Sequence, residues 1–362
     1  MKALILGDVS TKFNYDDFKN KETEKLFGDF APVMQGSEFT FVNLEGPITE
    51  NDKQIKKIGP AIKAPRELAA ILSELCVTVC GMSNNHILDF GKKGASDSIK
   101  ALTEVGIDYT GFGENYEDAR KNYYFEKDGE KIAVIAVCEH EFSGALDNRM
   151  GARTFEYDTF GDIVDAKRNA DRVIVCYHGG KEYSRFPSPR LASVSRNMIK
   201  CGADVVLCQH SHCIGCYEKY LDGHILYGQG NFHFIFPEEH KRREETSTSL
   251  AVIYDTKSGK IEFTPLHVAG DGIEIAKGED AEKIMSEFYS RNEALKNGAW
   301  LDEWRKTCDR LSHYYVEWVG KAGLAESSEE DNVTFAQILK CESHNDILRE
   351  AFRTWNDTNE LD

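Results

Sequence analysis

Short runs of β-branched and other apolar residues recur along the chain up to about Val268, and polar clusters follow them. Stretches with helical apolar spacing separate several runs, and these connections are long enough for the crossover helices that parallel strands need. The alternation therefore predicts an α/β architecture. The predicted strands are residues 3–6, 39–42, 77–80, 132–137, 173–177, 205–208 and 225–227, and the predicted helices are residues 65–75, 93–105 and 188–201.

The sequence changes character towards its C-terminus. Two late apolar runs, residues 249–254 and 260–267, flank a Lys-Ser-Gly turn and predict an antiparallel hairpin, so we expect a mixed sheet. Beyond Gly270, charged periodic stretches without strand signals predict helices. We therefore expect an α/β unit over residues 1–268 and a helical C-terminal extension over residues 271–362. The predicted helices of this extension are residues 281–295, 300–320 and 347–355, with an exposed break at residues 327–332.

Aromatic residues recur near helical spacing in this extension. The simplest interpretation is that they pack against the α/β unit, and a surface for a protein partner is the alternative. These residues are Trp300, Trp304, Tyr314, Tyr315 and Trp318.

Charge and segment length argue against two classes of function. The 44 lysines and arginines against 61 aspartates and glutamates give a net charge of −17, which disfavours nucleic-acid binding. The longest apolar run, residues 132–138, is far shorter than the roughly 20 residues of a membrane-spanning helix. The ten cysteines are scattered, several within apolar runs, as expected of reduced buried thiols. We therefore expect a cytoplasmic protein with no transmembrane segment and no nucleic-acid partner.

Polar, chemically versatile residues follow most of the predicted strands. Because ligands bind outside the carboxyl ends of strands in an α/β sheet, we expect these residues to converge on one edge. Carboxylates, imidazoles and an amide oxygen without cysteine suit Zn²⁺, Mn²⁺ or Fe. Two ions that share a carboxylate could activate a hydroxide for hydrolysis of a phosphate ester or an amide. The residues are Asp8, Glu45, Asn85, His86, Asp89, His178, His210 and His212.

Each of these residues also has a purely structural interpretation. Asp8 could cap a helix or form a turn, and His178 could be a hydrogen-bonded structural histidine. His210 and His212 would place both imidazoles on the same side if their backbone is extended. The coincidence of all of them at strand ends favours a metal site.

Six ordered motifs resemble the CapA family of capsule or poly-γ-glutamate biosynthesis proteins, whose fold is that of the calcineurin-like metallophosphoesterases. The resemblance covers roughly residues 1 to 268. It implies a four-layer α/β/β/α sandwich around two packed mixed sheets. The motifs are residues 7–8 (GD), 43–49 (NLEGPIT), 84–86 (NNH) with Asp89 and Gly91, 178–183 (HGGKEY), 202–212 (GADVV leading to HSH) and 227–232 (YGQGNF).

The resemblance also implies a role for each site residue. Asp8 and His212 would bind a first metal ion, and Glu45 would bridge to a second ion. The second ion would also be bound by three further residues, Asn85, His178 and His210. His86 would protonate a leaving group or stabilise developing charge, and Asp89 would orient His86 and raise its pKa.

One departure from the related phosphoesterases concerns the first metal. Those enzymes open with Asp-x-His, whereas Ser10 stands where that histidine would be. The first ion is therefore expected to be held weakly, and a single tightly bound ion is an alternative. Ser10 also keeps open the interpretation that the metal site is vestigial.

Three further residues are candidate substrate contacts. Lys181 and Arg185 lie shortly after His178, and a guanidinium would suit a phosphate or carboxylate. His140 follows a strand and could line the same cleft. Their alternative interpretations are surface charges and a solvated turn.

The predicted function is a metal-dependent hydrolase that cleaves a phosphoester, or a γ-glutamyl amide, with a metal-bound hydroxide. By the resemblance it serves capsule, poly-γ-glutamate or polysaccharide metabolism, so its substrate would be an anionic small molecule or polymer. The alternative is a non-catalytic biosynthesis factor that binds polymer or partners through a vestigial metal site. In either case the helical extension is a candidate docking element for a protein partner.

Overall fold

The computed structural model describes residues 1–20, 22–236 and 244–353. Two mixed sheets dominate it, and a two-stranded sheet joins β5 and β8. The strands are β1 (Lys2–Val9), β2 (Phe39–Leu44), β3 (Val79–Gly81), β4 (Asp108–Thr110), β5 (Phe112–Gly113), β6 (Tyr123–Lys127), β7 (Glu130–Cys138), β8 (Gly151–Ala152), β9 (Arg172–His178), β10 (Val205–Gln209), β11 (Tyr217–Tyr220), β12 (Gly223–Leu226), β13 (Asn231–His233), β14 (Thr248–Asp255), β15 (Lys260–Ala269) and β16 (Gly272–Ile275).

Helices cover the outer faces of both large sheets and form the C-terminal extension. Two 3₁₀ turns, Gly28–Phe30 and Glu244–Thr246, accompany them. The helices are α1 (Tyr15–Lys19), α2 (Thr23–Phe27), α3 (Ala31–Gln35), α4 (Glu67–Glu74), α5 (Gly91–Glu104), α6 (Tyr116–Ala119), α7 (Asp158–Asn169), α8 (Pro189–Lys200), α9 (Gly278–Asn297), α10 (Trp300–Lys321), α11 (Glu329–Lys340) and α12 (Glu342–Ala351).

The first sheet has the order β16-β15-β14-β1-β2-β3-β4, with β13 also paired to β1. Strands β1 to β4 are parallel to one another, whereas β14 pairs antiparallel with β1 and strands β14 to β16 pair antiparallel with one another. The second sheet has the order β11-β12-β10-β9-β7-β6 with a parallel centre and antiparallel edges. Both sheets are therefore mixed, as the sequence predicted.

Side-chain alternation along the strands builds the layers. Ile5 of β1 packs between the two sheets with Ile174 of β9. Its neighbour Leu4 faces the other way, into the core beneath the helices of the first sheet. Val175 of β9 likewise faces the core shared with α7 and α8. The result is the α/β/β/α sandwich that the resemblance implied.

The C-terminal helices differ in what they pack against. Phe288 of α9 is fully buried in the core between the sheets, and Trp300 joins the core on the outer face of the second sheet. Trp304 and Tyr315 instead form a small separate core with residues of α11 and α12. Tyr314, together with Trp318, is exposed, so the expectation that all five aromatic residues pack against the α/β unit was wrong.

Two element boundaries also differ from the prediction. The segment expected to be an exposed break contains the start of α11. A capping box begins this helix: the Ser328 side chain accepts a hydrogen bond from the backbone N–H of Asp331, and the Asp331 side chain accepts one from the backbone N–H of Ser328. Strand β16 extends the first sheet beyond Val268, and the helices resume at Gly278. The division into two domains stays a prediction. Residue 355, at the end of the last predicted helix, lies outside the described residues.

None of the helices in the described part of the chain combines the length and apolar character needed to span a membrane. All ten cysteines are free thiols.

Candidate metal centre

Six buried side chains with metal-binding chemistry meet where strands of both sheets end. Parallel pairing of β1 with β2, and of β9 with β10, places their carboxyl ends side by side. The contacts are direct, because Nε2 of His178 lies 3.1 Å from Oδ1 of Asn85 and 3.2 Å from Nδ1 of His210. The six residues are Asp8 within β1, Glu45 after β2, Asn85 after β3, His178 at the end of β9, and His210 and His212 after β10.

Glu45 gives the strongest indication that a cation belongs here. Its carboxylate is buried, and neither oxygen has a hydrogen-bond partner. One of these oxygens, Oε1, lies 3.9 Å from Nε2 of His178. Burial, followed by the negative charge of Asp8, raises the pKa of Glu45 well above its usual range. A buried carboxylate without partners is costly unless a cation or a proton joins it.

Two groups of potential ligands share this carboxylate. Glu45, His178 and His210 form one group, and Asp8, Glu45 and His212 form the other. Within each group the ligand atoms lie within 4.8 Å of one another. Carboxylate and imidazole donors suit Zn²⁺, Mn²⁺ or Fe. The residues of both groups could therefore hold divalent metal.

The backbone of the His-Ser-His segment is not extended. His210 and His212 have φ angles of 85° and 56°, in the left-handed region that residues other than glycine rarely adopt. The geometry is fixed in part by Asp8, whose Oδ2 accepts a hydrogen bond of 3.0 Å from the backbone N–H of His210. The extended conformation considered for this segment was wrong. Backbone strain of this kind is typical of functional sites.

Asn43 connects the two sheets inside the site, a role that its motif did not reveal. Its Nδ2 donates to Oδ1 of Asp8 at 2.7 Å and lies 3.1 Å from Nδ1 of His178. With Nδ1 held there, Nε2 of His178 is left facing the other ligands. Burial raises the pKa of Asp8, but hydrogen bonding and charge from His178 outweigh it, and the pKa is lowered to about 2. Asn231 similarly positions His212, with 2.8 Å between Oδ1 and Nδ1.

His86 lies at the edge of this centre and is held by two other residues. Its Nδ1 is 2.7 Å from Oδ2 of Asp89, while its Nε2 is 4.0 Å from Oε1 of Glu45. Asp89 therefore orients the imidazole, as predicted. Lys57, which the sequence did not single out, lies 3.0 Å from the same Nδ1 and is ion-paired with Asp89. Asp89 raises the pKa of His86, as expected, but burial and then Lys57 outweigh it and lower the pKa to about 4.

Two of the candidate substrate contacts, His140 and Arg185, already bind carboxylates in the structure. Both ring nitrogens of His140 bind carboxylates, with Nδ1 2.7 Å from Glu342 and Nε2 2.9 Å from Glu156. Arg185 forms an ion pair of 3.2 Å with Glu287 of α9. Any contact of these two residues with substrate would have to displace a carboxylate, and their role in substrate binding stays a prediction.

Lys181 and its neighbour Glu182 lie against the C-terminal helices. Lys181 is half-buried beside Tyr315 of α10, and although burial lowers its pKa, Tyr315 and Glu182 raise it overall. The pKa of the Glu182 carboxylate is raised by burial but lowered more strongly by Lys181 and the site histidines, to about 2. Glu182 is thus a second, partly buried anion near the centre that the sequence did not identify as a site residue.

The open space at the centre is small. The space bordered by Asn85, Glu141 and His178 is too narrow to admit a water molecule. A wider groove of about 1050 Å³ shares Glu141 with it and is bordered by Arg149 and Tyr157.

Comparison with known proteins places the chain in a family. A family model described as the bacterial capsule synthesis protein PGA_cap matches residues 2–236. The chain belongs to this family. It is 26% identical over 324 residues to the capsule biosynthesis protein CapA of Bacillus anthracis, covering 86% of this chain and 78% of that relative. It is 27% identical over 275 residues to the PGA biosynthesis protein CapA of Bacillus subtilis (strain 168), covering 74% of this chain and 72% of that protein.

Solved structures resemble this PGA_cap chain only distantly. A hypothetical protein from Thermus thermophilus aligns with 16% identity and a TM-score of 0.39, over 76% of this chain and 96% of that one. A 5'-nucleotidase from Candida albicans aligns with 9% identity and a TM-score of 0.42, over 82% of this chain and 58% of that one. Because these scores are low, the fold assignment rests on the two packed sheets described above.

Proposed function

We propose that this PGA_cap chain is a metal-dependent hydrolase that cleaves a phosphoester or a γ-glutamyl amide in the metabolism of a capsule-type polymer. One observation carries the proposal: two groups of buried ligands share Glu45, whose carboxylate oxygens have no other partner. Such a pair of sites is typical of dinuclear hydrolases. Family membership supports the connection to capsule synthesis.

The ligands divide between the two positions as follows. Asp8, Glu45 and His212 would hold one ion, and Glu45, His178 and His210 would hold the other, joined by Oδ1 of Asn85. When bound, Mn²⁺, Zn²⁺ or Fe would supply Lewis-acid activation of water and substrate. Asn43 and Asn231 keep Asp8, His178 and His212 in place through hydrogen bonds.

His86 is the best placed residue to act on the leaving group. Its Nε2 faces the bridging carboxylate, and its ring is fixed by Asp89 and Lys57 on the other side. A hydrogen bond from a fixed imidazole to the departing oxygen or nitrogen would stabilise charge that develops there. Asp89 acts through His86 and is a positioning residue.

A wider groove lies next to the centre and shares Glu141 with it. Its lining includes Arg149 and Lys340 but also the carboxylates of Asp147, Glu156 and Asp158, in a protein whose net charge is −17. Positive charge for an anionic substrate would therefore come mainly from the metal ions.

A non-catalytic binding role is the second candidate. Ser10 is buried directly after β1, where related phosphoesterases have a histidine ligand. One ligand fewer at the first position would weaken the first ion. In that case the centre would hold polymer or a single ion without turnover.

The deciding experiment measures metal content by elemental analysis and hydrolysis by the protein loaded with Mn²⁺. An aryl phosphate and a γ-glutamyl anilide would be tested as separate substrates. We expect bound transition metal and turnover of one substrate, and loss of both in the Asn85→Ala variant. The matched control is Asn169→Ala, which alters an exposed asparagine of α7. Mn²⁺-loaded protein that binds poly-γ-glutamate yet hydrolyses neither substrate would overturn the hydrolase proposal in favour of the binding role.

A further inference from the structure

A second set of metal-binding side chains lies where the C-terminal helices meet the α/β unit. Glu141 follows β7, Cys341 lies between α11 and α12, and His344 is in the first turn of α12. Their ligand atoms lie within 4.8 Å of one another. In the part of the chain that the structure describes, this is the one such group that does not contain Glu45.

We propose that Glu141, Cys341 and His344 form an additional site for a divalent transition-metal ion, with Zn²⁺ as the best fit. Carboxylate, thiolate and imidazole are the three donor types that zinc accepts, and three protein ligands leave a fourth position for water. This inference is independent of the proposed hydrolase function.

The distance between the thiol and the carboxylate of this group is close to that of a bound site. Cys341 Sγ lies 3.7 Å from Oε1 of Glu141. Ligand bonds of about 2.0–2.3 Å in a tetrahedral zinc site place neighbouring donors roughly 3.3–3.8 Å apart. Cys341 is fully buried, which protects a thiolate ligand from solvent. Small side-chain adjustments would therefore complete the site.

Further hydrogen bonds orient these ligands from outside the group. The hydroxyl of Tyr315 lies 2.6 Å from Nδ1 of His344, which leaves Nε2 of the ring for a metal ion. Ser343 Oγ is 3.2 Å from the Cys341 sulfur, and the Ser343 backbone N–H donates to Glu139 at 3.0 Å. Partners that fix the second nitrogen of a histidine are usual around metal ligands.

The charge balance also suits a divalent cation. The Glu141 carboxylate and a Cys341 thiolate would together neutralise two positive charges. The nearby ammonium of Lys181 interacts mainly with Tyr315 and Glu182, and its interaction with Cys341 is weaker. Binding would release the thiol proton to solvent. The ion would also join the segment after β7 to α12, and so fasten the helical extension to the α/β unit.

A thiolate ligand distinguishes this site from the Glu45 centre, which contains no cysteine. The test therefore detects a bond between a thiolate and a metal ion. The full-length protein is loaded with Co²⁺, and the thiolate-to-cobalt charge-transfer absorption in the near ultraviolet is recorded together with cobalt content. We expect this band in the wild type and its loss in Cys341→Ser, with about one equivalent of cobalt fewer per chain. The matched control is Cys308→Ser, which alters a buried cysteine of the same extension and should keep the band.

A second variant tests the site in case Cys341→Ser does not fold. His344→Gln leaves the thiol in place and should weaken cobalt binding, so that the band reaches half-maximum at a cobalt concentration at least tenfold higher. Absence of a thiolate-to-cobalt band in the wild-type protein would overturn the proposal. A band that persists unchanged in both variants would overturn it equally. Neither result depends on hydrolytic activity, so failure here is distinguishable from failure of the hydrolase proposal.

Discussion

At the scale of single residues, the charge on Glu45 dominates the stability of the site. Without metal, its carboxylate is buried without partners and lies near Asp8. A bound ion would stabilise the folded chain by about 4 kcal/mol when free metal exceeds the dissociation constant 1,000-fold. We predict that chelation lowers the melting temperature of the wild type more than that of Glu45→Gln, because only an ion at Glu141, Cys341 and His344 is left to be removed from the variant. The metal-free variant should be at least as stable as the metal-free wild type, because it buries no charge.

Calorimetric melting with and without a chelator checks this prediction. A control variant should not break an internal hydrogen bond. Gln229→Glu is therefore unsuitable, because the side-chain amide of Gln229 donates a hydrogen bond to a backbone carbonyl of β1. Glu126→Gln serves instead, since it neutralises an exposed carboxylate of β6. A chelator effect in Glu45→Gln as large as in the wild type would show that Glu45 does not bind the ions.

His86 is predicted to be needed for turnover but not for metal binding. Its ring is held by Asp89 and Lys57 and is not a member of either ligand group. His86→Gln should therefore retain its metal while turnover falls by roughly 10²–10⁴-fold, the usual contribution of a positioned acid or base. Elemental analysis and steady-state kinetics on one preparation measure both quantities. The exposed His313 supplies the control His313→Gln, and full activity in His86→Gln would contradict the assigned role.

At the scale of secondary-structure elements, long periodic stretches were the predictable part of the fold. The run at residues 173–177 corresponds to β9 and that at 132–137 to β7, each extended by a few residues. The short helices α1 to α3 escaped prediction because five residues contain too few turns to show a period. Asp8 was predicted to follow its strand but lies within β1, where the pairing with β13 changes register.

The edge formed by β11 and β12 carries a histidine that should make stability depend on pH. Nε2–H of His224 donates to the Gly259 carbonyl at 2.9 Å, and Nδ1 lies 2.8 Å from the Tyr217 hydroxyl. Both nitrogens of the neutral ring therefore have hydrogen-bond partners. Burial, aided by the charge of Lys219 and opposed by the Gly259 carbonyl and Asp204, lowers its pKa from 6.5. Below about pH 6.5 the unfolded chain takes up a proton that the folded chain does not, so stability falls with acidification.

Urea unfolding on either side of about pH 6.5 tests this linkage. The free energy of unfolding should decrease less on acidification in His224→Gln than in the wild type. His313→Gln is the matched control, because His313 is exposed on α10 and should leave the pH dependence unchanged. Equal losses in the wild type and His224→Gln would show that His224 does not contribute.

At the scale of the whole molecule, the convergence of the candidate metal ligands was predictable and their surroundings were not. Polar residues at strand ends identify a site because the sheet brings strand ends together. Lys57 meets His86 across a loop, and Tyr315 meets Lys181 across more than a hundred residues, without any periodic signal in the sequence. The same holds for His344, which reaches the α/β unit only because α12 folds back onto it. Contacts of this kind follow from tertiary packing alone.

Truncation distinguishes the part of the extension that belongs to the α/β core from the part that does not. Ending the chain at Gly270 removes β16 and α9, and with α9 the Phe288 ring that packs 5.2 Å from the ring of Phe263 between the sheets. We predict that this shorter chain is insoluble or unfolds without cooperativity, since loss of a buried phenylalanine alone costs about 3–5 kcal/mol. A chain ending at Asp302 keeps Phe288 and Trp300 and should be soluble, with cooperative thermal unfolding. It would lack α11, α12 and most of α10, and so expose the segment around Glu141. A soluble, cooperatively unfolding chain that ends at Gly270 would contradict the assignment of α9 to the core.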